Sequence, residues 1–114
     1  MIHDSFIIPL LMILTGYLMY KYPPKRINHI VGYRTYKSMR NKEMWDYANK
    51  YCGKLWMILG LIMSVLTFVL LIFVLLEVII FTENILITVI VIQVVMLLLT
   101  IFIVENRLKR YLGE

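Results

Sequence analysis

Residues 55–81 read LWMILGLIMSVLTFVLLIFVLLEVIIF, an apolar run interrupted by Gly60, Ser64, Thr67 and one ionisable residue, Glu77. A helix needs roughly 20 apolar residues to cross a hydrocarbon core about 30 Å thick, so this stretch spans a bilayer with some tilt or overhang. The three polar residues Thr82, Glu83 and Asn84 follow, and then residues 85–104, ILITVIVIQVVMLLLTIFIV, form a second such run with Gln93 as its strongly polar member. Two spans joined by so short a turn make an antiparallel hairpin.

Working back from that hairpin, residues 22–54 are polar and basic, and residues 5–21 are again apolar, close to the lower length limit for a span. Pro23 and Pro24 close this first span because neither continues a helical hydrogen-bond ladder. Asp4 stands where a cleavable signal would carry positive charge, so no cleavage is expected. Working forward, residues 105–114 form a charged tail. The expected fold is an all-α membrane domain covering residues 1–114, with about three transmembrane helices and an amphipathic juxtamembrane helix in the central loop.

Charge placement orients the expectation. Residues 21–54 hold nine Lys and Arg against Glu43 and Asp46, a net of +7, and the remaining basic residues are Arg107, Lys109 and Arg110. With three alternating spans, all twelve basic residues fall on one side. The positive-inside rule then puts the loop and C-terminus in the cytoplasm and the N-terminus outside, as a multi-pass protein of the plasma membrane. The same placement explains the formal charge of +5 through attraction to anionic lipid headgroups, without nucleic acid.

Little chemistry of other kinds is legible. Cys52 is the single cysteine, which excludes an intrachain disulfide. His3 and His29 are expected on opposite sides of the membrane and cannot share a metal. No nucleophile, base or metal set lies at one depth, so no catalytic residues, enzyme activity or cofactor are expected. Glu77 is open to three readings: snorkelling to the interface, a structural polar contact, or ion chemistry. Gln93 reads as an interhelical hydrogen bonder. Gly53, Gly60 and Thr67 recur at heptad spacing and Ser64 lies four residues after Gly60, marking a contact face on the second span.

The loop is richer than lipid adhesion requires. Ser38 or Asn41 can cap a helix that starts near Lys42 and runs into the second span, with Met44, Ala48 and Tyr51 on an apolar face. That segment fits an amphipathic helix on the membrane surface, with Tyr33, Tyr36, Trp45, Tyr47 and Tyr51 at headgroup depth. Asn28, Gly32, Tyr33, Arg34, Thr35, Asn41, Trp45 and Asn49 combine amide, hydroxyl, guanidinium and indole groups, suited to either a recognition site or a helix-to-loop lock.

Asn28 with Gly32-Tyr33-Arg34-Thr35, then Ser38-Met39, Asn41, Trp45 and Ala48-Asn49, resembles the signature of the SdpI family, over roughly residues 27–55 with two spans following. Members of that family are bacterial membrane proteins. The resemblance implies immunity to, or sensing of, a membrane-active peptide toxin; the family's prototype, a longer protein whose C-terminal half this chain resembles, also sequesters a transcriptional repressor. Candidate partners are therefore the anionic bilayer, a peptide toxin, a second copy of the chain or another membrane protein. The alternative functions are a small oligomeric transporter or lipid-binding protein, with Glu77, Gln93 and Arg34 lining a pathway, and an accessory subunit of a membrane complex.

Overall fold

A computed structural model describes residues 2–27 and 32–111. A short 3-10 turn, Ile2–Phe6, leads into helix α1, Ile7–Lys21; α2 is Lys42–Leu75 and α3 is Glu83–Tyr111. All three helical segments are long and apolar enough to cross a membrane, the first when the 3-10 turn is counted with α1. The long axis of the molecule measures 53 Å. At 1.5 Å per residue α2 is about 51 Å long, so it runs the whole length of the bundle.

Each helix starts and stops for a local reason. Asn41 sits in extended backbone and its side chain accepts from the Met44 amide, satisfying one of the amides that the first turn of α2 leaves without a helical partner. Thr82 does the same for α3, its hydroxyl accepting from Ile85 at 3.3 Å. The end of α2 departs from the hydropathy pattern: the apolar run continues to Phe81, yet the helix ends at Leu75. There Glu77 takes a left-handed conformation, φ 62°, while its amide donates to Val74 and the Val78 amide donates to Phe73. This is a Schellman stop, the hydrogen-bond pattern that closes many helices, with glutamate in the position glycine usually fills. The part of α2 beyond residue 54 still covers about 31 Å, enough for a crossing.

The core lies between α1 and α2, which run antiparallel. Gly16 meets Gly53, and Pro9 and Ile13 meet Gly60. A Cβ on Gly53 would lie 2.6 Å from both the Gly16 carbonyl oxygen and the Tyr20 nitrogen, so the two backbones touch. Gly53, Gly60 and Thr67 are all buried; α1 of the same chain occupies the face at Gly53 and Gly60, while Thr67 lies against Gln93 of α3. Helix α3 packs more loosely along the pair through Gln93, Thr100, Val104 and Leu108, with Trp56 Nε1 donating to the Thr100 hydroxyl at 3.0 Å. Leu, Ile, Val and Phe side chains elsewhere on α2 and α3 are exposed, as a lipid-facing surface requires.

One expectation about the loop changes. The amphipathic segment from Lys42 is present, but it forms the first turns of α2 and continues along the axis of the span. Its apolar face is covered by protein, because Met44, Ala48 and Cys52 pack with Tyr33, Val104 and Leu108. Trp45 is fully buried in the same region, so its ring faces protein and not lipid headgroups. A face already covered by the chain's own helices has no need of the membrane surface.

Candidate functional site

At the basic end of the bundle the connection between α1 and α2 closes onto the first turns of α2. Gly32 has φ 104°, a conformation that side-chain-bearing residues rarely adopt, and a Cβ there would stand 2.6 Å from Asn49 Oδ1. The missing side chain lets the Tyr33 amide donate to Asn49 Oδ1 at 2.8 Å. Asn49 Nδ2 in turn donates to the Trp45 carbonyl at 2.9 Å, and Trp45 Nε1 donates to the Pro24 carbonyl at 2.8 Å. Both ends of the Asn49 amide are thereby satisfied inside a buried site, as low-dielectric surroundings demand.

Thr35 and Ser38 build the next turn reciprocally. The Thr35 amide donates to Ser38 Oγ at 2.8 Å and the Ser38 amide donates to Thr35 Oγ1 at 3.2 Å, in the manner of a capping box. The buried Ser38 hydroxyl also reaches the Tyr33 carbonyl at 2.9 Å. From this turn the Tyr33 phenol extends to α3 and donates to Glu105 Oε1 at 2.6 Å. Burial, and then the Glu105 carboxylate, push the phenol well above its ordinary range, so it stays neutral and keeps its donor. Burial also pushes the Cys52 thiol beneath it up to about 12, which leaves that thiol unreactive.

The ends of α2 and α3 are tied beside this knot. Tyr47 stacks on Tyr111 with ring centroids 4.3 Å apart, and Arg107 Nε donates to the Tyr47 hydroxyl at 2.8 Å while its guanidinium lies 5.7 Å from the Tyr51 ring centroid. The Tyr111 hydroxyl donates to Glu43. Residues of the tail thus belong to α3 and close the basic end. Nothing in their spacing announced those pairings, since each depends on how two helices align.

The second polar position lies within the spans. Gln93, 3% exposed, donates through Nε2 to the Ser5 carbonyl at 2.8 Å, with Thr67 Oγ1 at 3.5 Å. One amide therefore joins the 3-10 turn, α2 and α3. Its Oε1 is buried without a partner among the described residues, as is Ser64 Oγ. Gln93 also lines a groove of about 290 Å³ between α2 and α3, whose other walls include Leu59, Leu66, Thr67, Ile92 and Met96. The loose packing of α3 on α2 leaves this apolar groove open along two spans.

The residues singled out from sequence therefore divide. Gly32, Tyr33, Thr35, Trp45 and Asn49 converge in the knot, and Asn41 caps α2 nearby. Arg34 is exposed at the same end, and Asn28 lies outside the described residues. Glu77 is exposed past the opposite end of α2, and Gln93 is buried among the spans. Among the described residues, no three His, Cys, Asp or Glu side chains converge as a metal site.

Comparison with known proteins places this arrangement. No solved structure matches the chain. The curated protein "Uncharacterized protein YfhL" of Bacillus subtilis (strain 168) is 43% identical over 54 residues, which cover 47% of this chain and 49% of that protein. The match thus spans about half the length of that relative. The profile of the SdpI/YfhL protein family matches residues 25–104, from the connection that carries the knot to the penultimate turns of α3. This chain is a multi-pass membrane protein and belongs to the SdpI/YfhL family.

Proposed function

We propose that this chain acts in the bacterial plasma membrane as an immunity or sensor protein for a membrane-active peptide, with its basic end in the cytoplasm. The orientation rests on the positive-inside rule applied to a bundle whose Lys and Arg gather at one end. The observation that carries the functional reading is the groove between α2 and α3 with Gln93 in its wall. It runs beside spans rather than at the water-facing end, so an occupant would reach it from lipid, where membrane-active peptides partition. Gln93 stands in that wall with its Oε1 buried and, among the described residues, unpartnered, at a depth where water supplies no alternative.

In this reading the Gly32 to Asn49 knot is an architectural clamp. Its polar groups are turned onto one another, and they hold α2 and α3 at the separation that leaves the groove open. Expression in a sensitive bacterial strain challenged with a panel of membrane-active peptides tests the proposal. Survival should rise for a cognate peptide, that peptide should co-purify, and Gln93→Leu should lower both while leaving membrane levels unchanged. Unchanged survival across the panel, with no peptide retained, would sink it.

A further inference from the structure

A second surface, on the lipid-facing side of α2, combines charge and shape in a way neither the clamp nor the groove uses. Between the last turn of α1 and the first turns of α2 lies a recess of about 280 Å³ lined by Tyr20, Asp46, Tyr47, Lys50, Tyr51 and Lys54. Its walls are aromatic rings and lysine stems. The Tyr47 and Tyr51 rings are stacked at 6.1 Å, and Arg107 and Tyr111 hold them from α3. The one carboxylate in the lining, Asp46, is bridged to Lys42, so Lys50 and Lys54 set the sign of the recess. Tyr20 and Lys54 sit where α1 and α2 enter their apolar segments, the depth of lipid headgroups.

Directly along α2 from this recess runs an apolar furrow of about 260 Å³ formed by Leu61, Ile62, Val65 and Leu66; Ile62 and Leu66 form its edge with the Gln93 groove, while Leu61 and Val65 face away from that groove. Lys50, Lys54, Ile58, Leu61 and Val65 follow one another at three- and four-residue steps, so recess and furrow share one helical stripe. From Lys50 to Val65 that stripe measures about 22 Å at the helical rise, close to half of a bilayer roughly 40–45 Å thick with its headgroups. Cationic and aromatic groups stand at its top and bare hydrocarbon below.

We propose that this stripe is a binding site for one anionic phospholipid, its phosphate between Lys50 and Lys54 and an acyl chain laid along Ile58, Leu61 and Val65. Phosphate is an acceptor-only group that lysine ammonium donors satisfy as point charges, and the rings exclude water from around it. Because the same rings hold the end of α3, a bound lipid braces the closed basic end. The site is independent of the peptide reading and stands or falls apart from it.

Native mass spectrometry of the full chain in detergent, titrated with phosphatidylglycerol or phosphatidylcholine of identical chains, tests this. One phosphatidylglycerol should be retained in preference to phosphatidylcholine. Lys50→Gln/Lys54→Gln should weaken retention about 25-fold, taking each lysine near an anionic headgroup as about five-fold, while Lys25→Gln/Lys37→Gln at the same end stays within about three-fold. Both lysines of the site are exposed, so far-UV circular dichroism should be unchanged, and Lys50→Arg/Lys54→Arg should keep the lipid. Equal loss in the two Gln pairs would mean a diffuse surface field and overturn the proposal. So would equal retention of phosphatidylcholine, or competition by glycerol 3-phosphate as strong as by the lipid, which would make a free phosphate the ligand.

Discussion

The Tyr33 amide donates to Asn49 Oδ1 at 2.8 Å across sixteen residues of chain, and it does so at a point where Gly32 leaves no room for a side chain. Through Asn49 the connection is pinned to α2, and through its own phenol Tyr33 is pinned to α3. A single residue therefore gathers the two longer helices at the basic end.

Asn49→Ala should destabilise the protein by about 1–3 kcal/mol, because the Tyr33 amide is left buried without an acceptor. Gly32→Ala should cost a similar amount, about 1–3 kcal/mol, from a side chain forced into its backbone conformation. Since both changes open the same contact, the double variant should fall short of their sum by at least about 0.5 kcal/mol. Unfolding titrations in mixed micelles read all three, and strict additivity would show that Gly32 and Asn49 do not act together.

At the α1–α2 seam, Gly53→Leu should be among the most damaging single changes, at about 3 kcal/mol or more, since the atoms in its way are backbone and cannot swing aside. Leu61→Ala, on the exposed face of the same helix, should stay within about 0.5 kcal/mol. Thermal stability in detergent separates the two, and a tolerated Gly53→Leu would mean the helices are not packed backbone to backbone.

Glu77→Gly should stabilise the chain by about 1 kcal/mol. Glycine meets the left-handed φ of 62° without the penalty of roughly 1–2 kcal/mol that a side chain carries there, less its larger entropy loss on folding. The change also removes an acid from the negative end of the α2 dipole. Glu77→Val should act in the opposite direction, because a β-branched residue tolerates that conformation least. Denaturation midpoints that do not separate the two variants would contradict the Schellman stop.

The raised affinity of Tyr33 for its proton sets a pH dependence. A phenol held protonated in the folded state adds stability that is complete below its ordinary value of 10.0 and is lost as pH rises beyond it. Melting temperature should hold level from pH 7 to 9 and decline above 10, with a slope of up to about 1.4 kcal/mol per pH unit from this proton. Tyr33→Phe should be less stable at neutral pH and should decline less steeply above pH 10. Cys52, raised to about 12, contributes in the same direction, so the comparison is best made in a Cys52→Ala background.

Much of this protein is decided within short stretches of its sequence. Helix-length apolar runs make the spans, Asn41 and Thr82 cap the helices that follow them, and Lys and Arg placement confines positive charge to one end. Gly53, Gly60 and Thr67 mark a close-packing face because small residues at heptad spacing can do little else in lipid. Tertiary structure alone decided what that face meets, which is Gly16 and Pro9 of α1 at its glycines and Gln93 of α3 at Thr67, and that the Tyr33 phenol reaches Glu105. It also decided that α2 stops at Leu75 inside an apolar run, through a left-handed Glu77 that hydropathy marks as a polar interruption but not as a helix end. The physical reason is that lipid and helix interior are equally apolar. Hydropathy separates membrane from water, but the choice of neighbour between two spans depends on backbone approach and on single polar atoms such as those of Gln93 and Asn49, which take their partners only once the helices are side by side.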